Sequence, residues 1–170
     1  MAVLPICKYG DPVLRNRALE ITEITPELNR LIEDMVDTMY AAPGVGLAAN
    51  QVGVSKRLML IDLSVGDDPS QLHVFINPEI VETRGEIEEE EGCLSIPDFV
   101  EIVTRPEWLR VKYLDQEGQE QEMEAEGLMA RAVCHEIDHL DGTLFIDYLR
   151  GLKKERILKR IQKVVRLGVW

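Results

Sequence analysis

Residues 127–142 read GLMARAVCHEIDHLDG. Helical character begins near Gly127 and stops at the helix-ending pair Asp141-Gly142. Within it, residues 135–139 form HEIDH and hold two of the chain's three histidines. On a helix, positions i and i+4 share one face, so His135 and His139 can reach one metal ion. Glu136 is offset by one position, where it can touch a water on that ion without being a ligand. A metal-activated water with a base beside it is the apparatus of amide hydrolysis. The competing reading is a surface helix with two incidental histidines, and the scarcity of histidine in this chain weakens it.

The elements on either side of this helix set the fold class. Thr25-Pro26 reads as an N-cap followed by a first-turn proline. Leu28, Leu31, Ile32, Met35, Val36 and Met39 then recur at helical spacing, up to about Ala42 before Pro43-Gly44. RLMLIDL (57–63) is an apolar run suited to a buried strand. LHVFI (72–76) and EIVET (79–83) read as two strands parted by Asn77-Pro78. WLRVKYL (108–114) alternates, and DQEG (115–118) turns it into a weaker strand over 119–125. After the motif helix, a last helix is expected over about 152–167, with Ile157, Leu158, Ile161, Val164 and Val165 facing inward. The expected class is α+β, with mostly antiparallel strands, the HExxH helix, an N-terminal helix and a C-terminal helix.

A chain of 170 residues with 45% apolar composition fits one domain, 1–170, with a substantial core. There is no apolar run of roughly 18 residues, so no membrane span is expected. MAVLPICKYGDPVLR lacks a charged n-region followed by a long apolar stretch, and no secretory or transit signal is expected. Three cysteines are an odd and small set, which points to a reducing, cytoplasmic setting rather than a disulfide framework. The net charge is −12, yet eight Lys or Arg and one Glu fall between Arg150 and Arg166. So acidic a body argues against DNA as a partner.

A catalytic site of this kind wants three protein ligands and an open position. No histidine follows His139, and Glu155, the only downstream glutamate, lies in the basic segment. The third ligand must therefore come from upstream, where His73, Cys7, Cys93 and Cys134 are available. His73 follows Leu72 in an apolar strand and suits a core or edge position. Cys134 points about 100° around the helix from His135 and suits a small buried hydrophobe. Cys7 has no supporting pattern. Cys93 sits in EGCLS (91–95), where Gly92 permits close backbone approach. One thiolate with two imidazoles suits Zn(II), Fe(II), Co(II) or Ni(II). Chemistry alone leaves Cys93 level with a structural cysteine in a loop.

Residues 44–51 read GVGLAANQ. So lean a segment exposes backbone donors and acceptors with which a peptide could pair as an added strand. The Gln51 amide, beside a backbone N–H, could hold the oxyanion of a tetrahedral intermediate. Taken alone, these residues favour an ordinary turn between helix and strand.

GVGLAANQ, EGCLS and HEIDHLDG, in this order, resemble the three signature motifs of the peptide deformylases. YGDPVLR (9–15), VFINP (74–78), EGCLSIP (91–97) and LFIDYL (144–149) extend the resemblance over nearly the whole chain. It implies a compact α+β fold with the HExxH helix at the centre of the site. It implies one divalent metal, Fe2+ in bacterial cells, on Cys93, His135 and His139. Zn2+, Ni2+ or Co2+ could replace it in preparations. The implied reaction removes formate from the N-terminal formylmethionine of new polypeptides, N-formylmethionyl nascent peptides being the partner. Glu136 would be the general base, and the Gln51 side chain and Leu94 backbone N–H the oxyanion donors. Gly44, Val45 and Gly46 would meet the substrate backbone. Leu128, Arg131 and Ala132 would line the methionine pocket. Glu91 and Arg105 resemble the family's ion pair beside the metal loop, although Glu91 also ends a largely solvated acidic run. The resemblance further implies that the basic C-terminal helix docks on the ribosome, and nothing in the sequence calls for more than a monomer. For that helix, a solubilising face over Ile157, Ile161 and Val164 is the competing reading.

Overall fold

The computed structural model describes residues 2–170. Helix α1 (Pro26–Ala41) starts where Thr25 Oγ1 accepts the Leu28 N–H at 3.1 Å. Its buried face, Leu28, Ile32, Met35 and Met39, packs on Leu47, Leu58, Leu60 and Ile76. Those residues belong to a five-stranded antiparallel sheet in the order β1 (Gly46–Ala48), β2 (Leu58–Ile61), β3 (His73–Arg84), β6 (Trp108–Leu114), β7 (Glu120–Glu126).

Helix α2 (Gly127–Leu140) covers the other sheet face. Ala130, Val133, Ile137 and Leu140 meet Met59, Ile61, Phe75, Leu109 and Val111 there. Side chains alternate across a strand, so Leu58 and Leu60 serve α1 while Met59 and Ile61 serve α2. That is why LMLI (58–61) is apolar throughout rather than alternating.

The two strands expected at 72–76 and 79–83 are one, β3, with a bulge between them. Asn77 takes φ 51° there, and its amide bonds both the N–H and the carbonyl of Ile21, at 2.9 and 2.8 Å. A bulge is a position where a strand tolerates Pro78. The acidic run over 86–91, mostly solvated as expected, belongs to an element that the sequence pattern did not predict. Residues Ile87–Cys93 form β4, paired with β5 (Ile96–Arg105) in a separate two-stranded sheet. Glu88, Glu89 and Glu90 are exposed, but Glu91 is buried. Glu91 and Cys93, two apart, share one face of β4.

Helix α3 (Gly151–Arg166) buries Ile157 and Ile161 against Ile96, Phe99, Val103, Phe145 and Leu149. Leu158 and Val164 are half-buried against the same cluster, whereas Val165, expected inward, is 40% exposed. Lys153 ties the start of α3 to Glu101 on β5 at 2.7 Å. No helix among the described residues is long and apolar enough to cross a membrane.

Candidate metal centre

Two elements bring three donors together. Helix α2 supplies His135 and His139, one turn apart, with Nε2 atoms 3.1 Å from each other. The end of β4 supplies Cys93, whose Sγ lies 3.1 Å from His139 Nε2. All three ligand atoms fall within 4.8 Å of one another. Of the four upstream candidates, only Cys93 joins the histidines. Cys134 is buried on another side of α2, where desolvation pushes its thiol up to about 11. His73 is half-buried in β3, and Cys7 lies outside the cluster.

The surroundings fit a cation. Burial acts to lower the His135 pKa, but Glu136, Cys93 and Glu91 together raise it well above its ordinary value. Burial and the charge of His135 hold His139 well below its own. One thiol and two imidazoles with their ligand atoms this close together form a donor set that suits a divalent ion. His135 Nδ1 lies 2.7 Å from Glu91 Oε2 and donates to it, which leaves Nε2 turned to the other donors. Asn50 Nδ2 donates to the backbone oxygen of His139.

Glu91 anchors the back of the site. Burial would raise its pKa, yet hydrogen bonds from His135 and Arg105 lower it to about 2. Arg105 Nη2 meets its Oε2 at 2.6 Å, and Arg105 Nη1 meets Asp138 Oδ2 at 2.6 Å. Tyr148 also donates to Asp138 Oδ2, at 2.7 Å. The expected Glu91–Arg105 pair is therefore buried and part of a wider network. Asp138, three residues past His135, and Tyr148 escaped the sequence reading. The i+3 spacing of Asp138 on a functional helix was the available signal.

The front of the site opens into a cavity of about 640 Å³. Gly44, Val45, Gly46, Leu128 and Ala132 line it, together with Gln51, Leu94 and Glu136. Arg131 also contributes to the wall, but it is 4% exposed and its guanidinium is turned to Glu91 and the Ile87 carbonyl. GVGLAANQ is not a loop throughout: Gly46–Ala48 forms β1, and Ala49–Val52 a 3-10 turn. This turn fixes the Gln51 amide. Its Oε1 accepts the Ala48 N–H at 2.9 Å, so its NH2 faces Ser95 Oγ at 3.2 Å and Cys93 Sγ at 3.7 Å. Ser95, fully buried, is a further site residue that the sequence reading passed over within EGCLS.

Glu136 reaches the cavity floor from α2. Its Oε1 is buried with no hydrogen-bond partner among the described residues. Burial raises its carboxyl to about 7. A Cβ on Gly46 would stand 2.6 Å from Glu136 Oε2, so only glycine leaves this carboxylate its position. The assembly offers a soft three-donor ion site, an unpartnered carboxyl, an aimed amide donor and an adjoining cavity. That is the equipment for hydrolysing an acyl bond.

Residues 3–155 match the family model of polypeptide deformylases. The chain belongs to the peptide deformylase family. It is 49% identical to the peptide deformylase of Acidobacterium capsulatum over 170 residues, covering all of both chains. Among solved structures it is similar to a peptide deformylase from Legionella pneumophila, with a TM-score of 0.92 and 45% identity over 99% of this chain and 98% of that one. It also resembles the Synechococcus elongatus peptide deformylase in complex with actinonin, with a TM-score of 0.87 and 41% identity over 97% of this chain and 88% of that one. Peptide deformylases are metal-dependent hydrolases that remove the formyl group from N-terminal formylmethionine, and this chain is one of them.

Proposed function

We propose that the chain is one catalytic domain, 1–170, that deformylates nascent peptides through the residues gathered around Cys93. Cys93, His135 and His139 hold one divalent ion, iron(II) in the cell, with Zn2+, Ni2+ or Co2+ taking its place in preparations. When bound, the ion would supply a water of pKa near ~7 and an electrophile for the formyl oxygen. The observation that carries the reading is the three-donor cluster within 4.8 Å, beside a buried carboxyl oxygen that has no partner.

The substrate backbone pairs with the segment Gly44, Val45 and Gly46. The methionine side chain enters the cavity beside Leu128 and Ala132, along the stem of Arg131. This puts the formyl carbon over Glu136. Glu136 takes a proton from the attacking water, and a C–O bond forms at the formyl carbon. The Gln51 NH2 and the Leu94 N–H stabilise the developing oxyanion, and losing one such donor costs about 3 kcal/mol. Glu136 returns the proton to the nitrogen, the C–N bond breaks, and formate and a free amine leave. Formyl is the smallest acyl group, so a site this tight excludes acetyl by shape.

Formate release from formyl-Met-Ala, with and without a chelator, tests the reaction. An internally cleavable peptide offered to the same sample tests against a general metalloprotease. Cleavage of that peptide without formate release would overturn the proposal.

The partners are N-formylmethionyl nascent peptides, met in the cytoplasm by a monomer, with no DNA. The ribosome is a second partner, through α3. Arg156, Lys159, Lys163 and Arg166 are exposed on that helix and suit rRNA phosphates. Lys159→Glu with Lys163→Glu keeps the Ile157 and Ile161 anchor and should abolish co-sedimentation with ribosomes at low salt. Undiminished binding would end this part of the reading.

A further inference from the structure

Arg131 occupies the helical turn before His135, on the wall of the cavity, where a pocket-lining residue is expected. Its charged end does something else. Nη1 donates to Glu91 Oε1 at 3.0 Å, and Nη2 donates to the Ile87 carbonyl at 3.0 Å. Ile87 and Glu91 both lie on β4, the strand that ends in Cys93. Arg131 lies on α2, the helix that carries His135 and His139. One side chain therefore clamps the element holding the thiolate to the element holding both imidazoles, at two points four residues apart.

The clamp also completes Glu91. Oε1 accepts from Arg105 Nε at 3.0 Å and from Arg131; Oε2 accepts from Arg105 Nη2 at 2.6 Å and from His135 Nδ1 at 2.7 Å. Each carboxylate oxygen has two donors, so the group has no freedom to turn. Arg105 alone spans both oxygens but leaves Oε1 with one bond and β4 untied at Ile87. Charge points the same way. Glu91 and Asp138 are two buried or part-buried anions, and Arg105 and Arg131 are the two guanidiniums bonded to them. Removing either arginine unbalances the set next to a metal ligand.

We infer that Arg131 is a positioning residue for the metal centre, fixing Glu91 behind His135 and holding the Cys93 strand against the histidine helix. This rests on the metal reading above. Partners behind a ligating histidine are typically worth about ten- to a hundredfold in metal affinity or activity. A residue that only walls the cavity would instead change which first side chain the enzyme accepts.

Arg131→Met and Arg131→Lys, loaded with cobalt(II), separate the two roles. Methionine keeps an apolar stem on the cavity wall and deletes the clamp. The expected result for Arg131→Met is a shifted visible cobalt spectrum and a fall in kcat of about tenfold or more. KM, and the preference for formyl-Met over formyl-Leu or formyl-Ala peptides, should stay at the wild-type level. Arg131→Lys keeps the charge on a single donor nitrogen and should recover the spectrum and kcat in part. If Arg131→Met fails to fold, the same comparison is made on Arg131→Lys alone, which should still shift the cobalt bands. A wild-type spectrum and kcat with altered side-chain preference would make Arg131 a pocket residue and overturn the inference. A lowered Tm with unchanged spectrum and kcat would overturn it too, in favour of a purely structural role. Absence of cobalt bands from the wild-type enzyme would sink the metal reading itself, an outcome distinct from either.

Discussion

Replacing Gly46 by alanine puts one methyl group against the Glu136 carboxylate. The alanine Cβ would lie 2.6 Å from Glu136 Oε2 and 3.1 Å from both Cδ and Cγ. Ordinary contact begins near 3.4 Å, so the carboxylate must retreat by roughly 0.8 Å. The φ of Gly46 is not in the left-handed region, so alanine suits the backbone and the whole effect falls on the neighbour. That neighbour is buried on a packed helix, so any retreat displaces the carboxylate within the site. A misplacement of about 1 Å in a catalytic group costs up to ~10²-fold. The expected fall in kcat is therefore some ~50- to 100-fold, about 2.5 kcal/mol of barrier. The metal ligands are untouched, so metal content should stay at the wild-type stoichiometry. Gly44→Ala is the internal control. Its Cβ would approach only the tip of Leu94, at 2.9 Å, and a leucine end can turn aside. It should raise KM modestly with kcat near normal. Formate release, elemental analysis and thermal unfolding on the purified variants give the three readouts. A Gly46→Ala enzyme within about twofold of wild-type kcat would refute the reasoning that Glu136 acts from its present position.

The remaining predictions concern ligands and supports. Glu136→Ala should keep its metal and lose nearly all deformylation; near wild-type turnover would remove Glu136 from its role as base. Cys93→Ala should lose metal on gel filtration, whereas Cys134→Ala, outside the cluster, should retain it; equal content in both would end the ligand choice. Arg105→Met leaves Glu91 and Asp138 without their shared guanidinium. Breaking a buried pair in this way costs about 3–5 kcal/mol, which for a chain of this size lowers Tm by roughly 10 °C. Unfolding followed by circular dichroism would measure it, and a shift under about 3 °C would show that the network relaxes around the loss.

Local rules carried much of the fold. Thr25-Pro26 begins α1 and Asp141-Gly142 ends α2 because caps and breakers act within a turn, and neighbouring residues record such effects directly. Two strands became one at Asn77 for the opposite reason. The bulge is held by Ile21, 56 residues away, and nothing near Asn77-Pro78 reports that bond. The β4–β5 hairpin was hidden by composition. A run of glutamates looks solvated, and on its outer face it is. The same alternation carries Glu91 inward, and burial of a carboxylate becomes visible only once Arg105, Arg131 and His135 are known to meet it.

The site divides along the same line. His135, Glu136 and His139 are legible because one helix fixes their mutual geometry. Cys93 is legible as a ligand only through the family resemblance, because its place depends on where β4 ends relative to α2. The sequence chemistry could name a thiolate but not bring it to the imidazoles. What brings it there is a set of charged groups, Glu91, Arg105 and Arg131, each of which taken alone reads as ordinary polar surface or pocket wall. Burying such groups stabilises a fold only when every one is paired, and removing any partner is costly. Their pairing therefore gives the ion site its rigidity: the strand bearing the thiolate cannot slide along the helix bearing the imidazoles without breaking charged hydrogen bonds at both Glu91 oxygens.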